Sequence, residues 1–315
     1  MSEKILIALG GNALIKPHQA GTIDEQLANL AAGLDGIVEL VERGHQLVIT
    51  HGNGPQVGNI LLRVEAARGQ AYDLPLDVCV AQSQGELGYL IQQSLQNALL
   101  RRGLKRPVVS VISQVIVSED ELRWQKPTKP IGPFYTEGQA QLLKKQGYSM
   151  VQDAGRGYRR VVRSPAPLAI VEQDVIKMLF EQGVIVIAVG GGGIPVTMNA
   201  NGYLRGVAAV VDKDLASATL ANAIGADKIM DLTSVEKVKL NYGKPNERDL
   251  DRLTTSEAKR YLADGQFPRG SMGPKIEASI QFLEHGGQRV IISTLEKLIE
   301  AFDGTTGTHV YPDPI

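Results

Sequence analysis

The stretch ILIALGGNAL, residues 5–14, joins a run of apolar residues directly to a pair of glycines. Five successive apolar residues are typical of a strand that is buried on both faces of a parallel sheet. A glycine pair at the carboxyl end of such a strand lets backbone N–H groups approach an anion, because no Cβ stands in the way. This stretch therefore predicts an α/β fold with a phosphate site at one edge of the sheet.

Two further glycine turns follow apolar runs in the same way, THGNGPQVG at 50–58 and AVGGGGIPV at 188–196. In the first of these, Pro55 stands at a predicted helix start, where the positive end of the helix favours an anion. Four consecutive glycines lose much conformational entropy on folding, so we expect the third turn to pass close to another group and to form a cleft wall. A single glycine turn is about as often a packing device as a ligand site. The prediction of a phosphate site therefore depends on the presence of three such turns in one chain.

The rest of the chain alternates between strand and helix patterns. The predicted strands are 5–9, 47–50, 108–117, 184–189, 228–232 and 289–293. The predicted helices are 24–43, 55–68, 79–101, 137–146, 172–182, 214–224, 255–262 and 274–285. This order predicts a three-layer αβα sandwich with a mainly parallel central sheet.

Two segments interrupt the alternation. Residues 118–165 are rich in proline, glycine and charge around one short helix, which predicts a small inserted lid subdomain. Residues 233–251 predict a hairpin or a long loop. We expect one continuous domain of two lobes, 1–212 and 213–315, with their seam near 206–213.

Composition excludes several classes of function. The 315 residues include 33 basic and 34 acidic ones, and the net charge of −1 argues against a nucleic-acid or anionic membrane surface. A single cysteine, Cys79, excludes an internal disulfide framework and a multi-thiolate metal site. No apolar stretch is long enough for a membrane span or a signal core, so we expect a cytoplasmic protein.

The familiar nucleotide motifs do not fit. The glycines of residues 50–58 miss the G-x-G-x-x-G spacing by one residue, and GSMGPK at 270–275 differs from the G-x-x-x-x-G-K-[ST] loop. Protein-kinase signatures do not occur either. A phosphoryl-transfer enzyme with this sequence would use another arrangement of donors and cations.

Three lysines are candidates for those cations, since phosphoryl transfer depends on positioning and on neutralising charge. Lys129 lies between two prolines, Lys213 lies between Asp212 and Asp214, and Lys275 begins a helix after a turn of small residues. A single lysine is usually a solvated surface charge, but these three stand in glycine-, proline- or aspartate-rich breaks. Asp212 and Asp214 would hold Lys213 charged and in place, although Asp212 could equally be a helix N-cap.

Seven motifs in this order, spread over residues 8–278, closely resemble those of the carbamate kinase family in the amino acid kinase superfamily. They read ALGGNAL, HGNGPQVGN, PTKPIGPFYTE, DAGRGYRRVV, GGGGIPV, VVDKDLAS and GSMGPKIEA. PTKPIG and GGGGIPV distinguish this family from acetylglutamate, glutamate and aspartate kinases. Those relatives carry a lysine at the position of Ala8, and we attribute the missing charge to Lys129 and Lys213.

The resemblance implies reversible phosphoryl transfer from carbamoyl phosphate to ADP, giving ATP and carbamate, with Mg²⁺ bound to the nucleotide and no dedicated metal ligands. It also implies a homodimer, a carbamate lobe at 1–212 and a nucleotide lobe at 213–315. Two alternatives stay open: a phosphotransferase of the same superfamily acting on another small carboxylate or carbamoyl compound, and a catalytically silent nucleotide-binding regulator.

The resemblance also assigns roles to individual residues. Lys129 would close onto the transferred group, Lys213 would contact it, Lys275 would hold the terminal phosphates of the nucleotide, and Asp214 would orient the lysines. The residues that would surround carbamate and the phosphoryl group as donors are Gly10, Gly11, Asn12, Gly52, Asn53 and Gly54. The candidates for binding the rest of the nucleotide are Thr233, Lys237, Tyr242, Ser271 and Met272.

Two residues depart from the family pattern near the nucleotide. Ser234 follows Thr233 where many relatives have aspartate or glycine, and Asp231 stands in a strand position that is commonly apolar. Both departures could alter the affinity for the nucleotide or have little effect on it. His51, in the second glycine turn, is expected to be a hydrogen-bonding support rather than a catalyst.

Overall fold

A computed structural model describes residues 2–11, 14–16, 19–153, 157–268 and 270–314. In these ranges the strands are β1 Lys4–Leu9, β2 Gln46–His51, β3 Val108–Ser110, β4 Gln114–Val117, β5 Lys129–Tyr135, β6 Met150–Asp153, β7 Gly157–Val162, β8 Pro167–Ile170, β9 Ile185–Ile187, β10 Ile194–Met198, β11 Leu204–Gly206, β12 Lys228–Leu232, β13 Val238–Leu240, β14 Arg248–Leu250, β15 Arg252–Thr254, β16 Arg289–Ser293 and β17 Thr308–Tyr311. The helices are α1 Ile23–Glu42, α2 Gly54–Ala66, α3 Leu76–Arg101, α4 Glu119–Trp124, α5 Glu137–Lys145, α6 Gln173–Glu181, α7 Lys213–Ile224, α8 Thr255–Ala263, α9 Met272–Glu284 and α10 Leu298–Phe302.

Eight strands form the main sheet, in the order β15-β17-β16-β12-β1-β2-β9-β3. Every neighbouring pair in it is parallel except β16 and β17. The predicted mainly parallel sheet is therefore confirmed, with β1 near its centre.

The sheet is buried on both faces, as the apolar run in β1 predicts. Ile5, Ile7 and Leu9 belong to the core cluster on one face, and Leu6 and Ala8 belong to the cluster on the other. This division follows from the two-residue repeat of a strand. Helices α1, α3 and α10 cover the first face, and α6, α7, α8 and α9 cover the second. The three-layer αβα sandwich is confirmed.

The predicted strand at 108–117 is wrong as a single element. β3 pairs with β9 at the edge of the main sheet, whereas β4 pairs with β8 and β10 in a separate four-stranded sheet. The break lies at Ser113, whose backbone N–H and C=O bond the side-chain amide of Gln84 from α3 at 2.8 and 3.0 Å. The Gln84 amide satisfies the N–H of Ser113, while the C=O of Ser113 also accepts from the backbone N–H of Ile194 in β10 at 2.9 Å, so the chain leaves one sheet and enters the other here.

Residues 118–165 form a compact unit at the side of the sandwich. Its antiparallel sheet has the order β5-β7-β6, and the segment contains two helices, α4 and α5, where the sequence predicted one. The close approach of Gly58 to Gly132 packs α2 of the main body against β5. The segment that follows β12 contains a two-stranded hairpin of β13 and β14, which is one of the two alternatives that the sequence left open.

Among the described residues, we find no helix with the length and apolarity that crossing a membrane requires.

Candidate active site

The glycine turns lie together because they follow neighbouring parallel strands. β12, β1, β2 and β9 are adjacent in the sheet, and their carboxyl ends share one edge. The first turn follows β1, the second follows β2 and the third follows β9. Ligands of open α/β sheets bind at this edge.

Two of the predicted backbone donors are already bonded inside the protein. The N–H of Gly10 donates to the carbonyl of Leu232 at 2.8 Å, and the N–H of Gly52 donates to that of Leu9 at 2.9 Å. A Cβ on Gly10 would lie 2.7 Å from the Leu232 oxygen. These two glycines leave space at the edge of the sheet, and their N–H groups bond the backbone of neighbouring strands. The prediction that these N–H groups bind substrate is corrected accordingly.

Other backbone donors at this edge are available. Within the described ranges, the N–H groups of Gly11, Gly54 and Gln56 have no protein acceptor. Gly54 and Gln56 belong to the first turn of α2, where Pro55 supplies no N–H. The positive end of α2 and these free donors form a corner that is suited to an anion.

The third glycine turn forms the wall behind that corner. Gly191 and Gly192 have φ values of +66° and +91°. A Cβ on Gly191 would lie 2.0 Å from the Asn53 side-chain amide, and a Cβ on Gly192 would lie 2.4 Å from the carbonyl oxygen of Val211. Both the backbone conformation and the close approach require glycine here.

A pocket of about 290 Å³ opens between these turns. The structure brings most of the sequence-predicted residues to its wall. Lining it are Gly10, Gly11, Gly52, Asn53, Gly54, Lys129, Lys213, Asp214, Thr233, Ser271 and Lys275. Asn12 lies outside the described residues.

A cluster of four charged side chains forms the floor of this pocket: Lys213, Asp214 and Lys275 line the pocket, and Asp231 contacts the two lysines without lining it. Asp214 contacts two lysines: its Oδ1 lies 2.7 Å from Lys213 Nζ, and its Oδ2 accepts a bond from Lys275 Nζ at 3.1 Å. Asp231 accepts from Lys275 Nζ at 2.9 and 3.0 Å and lies 3.5 Å from Lys213 Nζ. All four side chains are nearly buried, so water screens their charges little.

Burial and neighbouring charges act in opposite directions on this cluster. Burial alone would raise the pKa of Asp214, but the ammonium groups of Lys213 and Lys275 outweigh it and hold that pKa well below the usual range. Burial alone would lower the pKa of Lys275, but Asp231 and Asp214 hold it above its ordinary value. Asp214 is therefore an anion and Lys275 a cation at neutral pH.

Lys213 differs from Lys275 in its hydrogen bonding. Its ammonium group is buried and close to Asp214, yet it has no well-aligned acceptor among the described residues. Buried donors are normally satisfied, so Lys213 is the cation of this floor that is most ready to bind an anion.

Lys129 and Asp212 form a separate pair. Lys129, at the start of β5, donates to Asp212 Oδ2 at 2.8 Å. Asp212 also caps α7, because its Oδ1 accepts from the N–H of Asp214 at 2.9 Å. The expectation that Asp212 holds Lys213 is corrected: its lysine partner is Lys129, and the N-cap interpretation is right.

His51 is a support for the glycine wall. It is buried, its Nδ1 lies 3.1 Å from the Gly52 carbonyl oxygen, and the space beside Gly190 is filled by its ring. Burial lowers the pKa of His51 to about 4, so the ring is neutral at pH 7. His51 does not line the pocket, which agrees with a supporting role.

A second cavity, of about 240 Å³, adjoins the first. Thr233, Ser271 and Lys275 line both cavities. The remaining predicted nucleotide residues, Lys237, Tyr242 and Met272, line only the second of these. Lys237 is paired with Asp251 at 2.6 Å, and Tyr242 is largely exposed. Lys239 also lines this cavity and was missed by the sequence prediction.

Asp231 was named from the sequence as a departure near the nucleotide, but its contacts with Lys213 and Lys275 were not predicted. The signal for these contacts was an acid between apolar strand residues, in the sequence IMDL. A buried carboxylate requires a partner, so this residue alone predicted a nearby cation.

Comparison with known proteins agrees with this geometry. The model of the amino acid kinase family matches residues 3–293. A carbamate kinase from Pyrococcus horikoshii is 49% identical, covering 99% of this chain and 100% of that protein. The carbamate kinase-like protein YqeA of Escherichia coli is 48% identical, covering 98% and 99%. The solved structure of Giardia lamblia carbamate kinase bound to AMP-PNP is similar with a TM-score of 0.92 and 41% identity, covering 99% of each chain. The chain belongs to the amino acid kinase family and, within it, to the carbamate kinases.

Proposed function

We propose that this protein transfers a phosphoryl group between carbamoyl phosphate and ADP, giving carbamate and ATP. The observation that carries the proposal is the convergence of Lys129, Lys213 and Lys275 on one glycine-lined pocket beside the free N-terminal donors of α2. A carbamate kinase 49% identical over nearly the full chain supports it.

The two cavities suggest how the substrates are placed. Carbamoyl phosphate would occupy the pocket near Gly11, Gly54 and Lys213, and ADP would occupy the adjoining cavity. Lys275 lines both, so it would contact the ADP phosphates next to the transferred group. The resemblance to a carbamate kinase solved with AMP-PNP supports a nucleotide in this fold.

In the reaction, the bond between phosphorus and the carbamate oxygen breaks as a β-phosphate oxygen of ADP bonds to phosphorus. The attacking β-phosphate oxygen of ADP is already anionic, so no side chain has to remove a proton from it. Direct transfer to this oxygen needs no covalent enzyme intermediate. Lys129 and Lys213 would neutralise the negative charge on the transferred group, and the donors of Gly11 and Gly54 would orient it.

Mg²⁺ fits this site as an ion carried by the nucleotide. The described residues contain no group of three or more carboxylate, histidine or cysteine side chains suited to a metal. Asp212, Asp214 and Asp231 are each paired with lysine. Mg²⁺ commonly binds substrate phosphates and water instead of a complete protein cage. When bound with the nucleotide, Mg²⁺ would reduce the negative charge of the phosphates.

The wider organisation is also part of the proposal. Residues 1–212 would form the carbamate lobe, 213–315 the nucleotide lobe, and 118–165 a lid that brings Lys129 to the substrate. The main pocket has lining residues from both proposed lobes. We further propose a homodimer that acts in the cytoplasm.

The decisive experiment measures ATP formation from ADP and carbamoyl phosphate with Mg²⁺, with acetyl phosphate in parallel. We expect ATP well above the spontaneous background with carbamoyl phosphate. Lys213→Ala should lower the rate roughly 100- to 1000-fold, because the transferred group loses a buried cation. Lys259→Ala, at an exposed ion pair with Glu284, is the matched control and should keep full activity. Activity with acetyl phosphate alone would favour the alternative substrate class, and no activity would contradict the proposal.

A further inference from the structure

Asp231 is a buried acid at the centre of the sheet. It lies on β12 directly beside Ala8 of β1 in the parallel ladder. Only 4% of its surface is exposed, and its side chain reaches the floor of the pocket through Lys275. The proposed reaction assigns it no role so far.

The hydrogen bonds of Lys275 show what Asp231 does. An ammonium group has three N–H donors. Three carboxylate oxygens lie within bonding distance of Lys275 Nζ, two of Asp231 at 2.9 and 3.0 Å and one of Asp214 at 3.1 Å. Lys275 therefore has no donor to spare for a phosphate until it releases a carboxylate oxygen.

The net charge of the cluster leads to the same conclusion as the hydrogen bonds of Lys275. Lys213, Lys275, Asp214 and Asp231 form a cluster with no net charge, although it faces anionic substrates. Asp214 alone already contacts both lysines, one through each oxygen. Without Asp231 the same floor would keep both lysines bridged and would carry one net positive charge.

We propose that Asp231 is a positioning residue that competes with the terminal phosphate of the nucleotide for Lys275. It holds the lysine in place when the site is empty and lowers the affinity for ADP. The inference rests on the proposed function in one respect, because it takes Lys275 to be the ligand of the nucleotide phosphates.

The test uses ADP binding, measured by titration calorimetry with excess Mg²⁺ and no carbamoyl phosphate. Asp231→Asn keeps the shape of the side chain but removes its charge, and Asp231→Leu restores the apolar character of the strand. We expect both to lower the dissociation constant for ADP, by about tenfold for one nearby charge in a poorly screened site. Glu3→Gln is the matched control, because Glu3 pairs with Lys228 at the opposite end of the same strand.

A second readout separates competition from a merely structural role. Among the described residues, the charged groups that face Lys275 are Asp231 from β12 and Asp214 and Lys213 from α7. Asp231 raises the pKa of Lys275, so the variants should lose ADP affinity at a lower alkaline pH than the parent protein. Glu3→Gln should leave this alkaline limit unchanged.

ADP affinity that is unchanged or weaker in both folded Asp231 variants would overturn the inference, as would an alkaline limit that does not move. This result is independent of turnover. Tighter ADP binding without ATP formation from carbamoyl phosphate would contradict the proposed function and leave the role of Asp231 intact.

Discussion

Lys129 and Lys275 belong to different elements and line different sets of cavities. Lys129 lines only the main pocket and belongs to the three-stranded sheet, whereas Lys275 lines both cavities and belongs to α9. We therefore expect the two lysines to contact different substrates of the same reaction.

We predict that Lys129→Ala mainly raises KM for carbamoyl phosphate and that Lys275→Ala mainly raises KM for ADP. The loss of one charge-assisted contact should raise the affected KM roughly tenfold or more. Initial rates with each substrate varied in turn check this. Equal effects of both changes on both substrates would contradict the division.

Single residues also show the limit of the sequence prediction. Each lysine could be selected from its neighbours in the chain, because glycine, proline or aspartate surrounds it. The partner of each lysine could not, since Asp231 meets Lys275 only through the register of β12 beside β1 and the packing of α9 on that sheet. Likewise, Asp212 is adjacent to Lys213 in sequence but pairs with Lys129, 83 positions away.

Among the structural elements, the third glycine turn depends most on exact shape. Gly191 faces the side chain of Asn53, which donates to Ser83 Oγ at 2.8 Å and stands at the N-cap of α2. The turn therefore sets the position of the helix end that would bind the anion.

We predict that Gly191→Ala lowers kcat/KM for carbamoyl phosphate roughly 10- to 100-fold, because the new methyl group displaces Asn53 and with it the donors of α2. Gly138→Ala is the control, since a Cβ there meets nothing within 4 Å. Steady-state rates and thermal unfolding of both variants check this. A Gly191→Ala enzyme with unchanged kcat/KM would show that the turn does not position the substrate.

The elements themselves were predictable where one pattern decided them. Long amphipathic helices and buried parallel strands agree with the sequence to within a few residues. The segment 108–117 was predicted wrongly as one strand. Its apolar run identifies strand conformation but does not show which sheet each part joins. The switch depends on Gln84, which lies on another element and bonds Ser113.

For the molecule as a whole, buried neutral histidine links folding to pH. The pKa of His51 is about 4 in the folded protein and about 6.5 when the chain is exposed. Between these values the unfolded chain binds a proton that the folded protein does not bind, so the free energy of unfolding falls as the pH falls.

We predict that His51 makes the free energy of unfolding fall by about 2 kcal/mol between about pH 7 and about pH 5. Urea unfolding should show a weaker pH dependence in His51→Asn than in the parent protein. His285→Asn, a change at an exposed histidine, should leave the dependence as it is. If the free energy of unfolding changes with pH equally in His51→Asn and in the parent protein, the prediction is contradicted.

The burial of β1 on both faces restricts how this enzyme can change its length during evolution. Insertion or deletion of one residue before Gly10 would move Leu6 and Ala8 into the opposite core and carry Ile5, Ile7 and Leu9 the other way. A change of two residues would preserve the faces but displace the first turn by about 7 Å relative to the turn after β2. Viable insertions and deletions should therefore be absent from this strand and collect in the peripheral connections, while the spacing from the strand to its glycines stays constant.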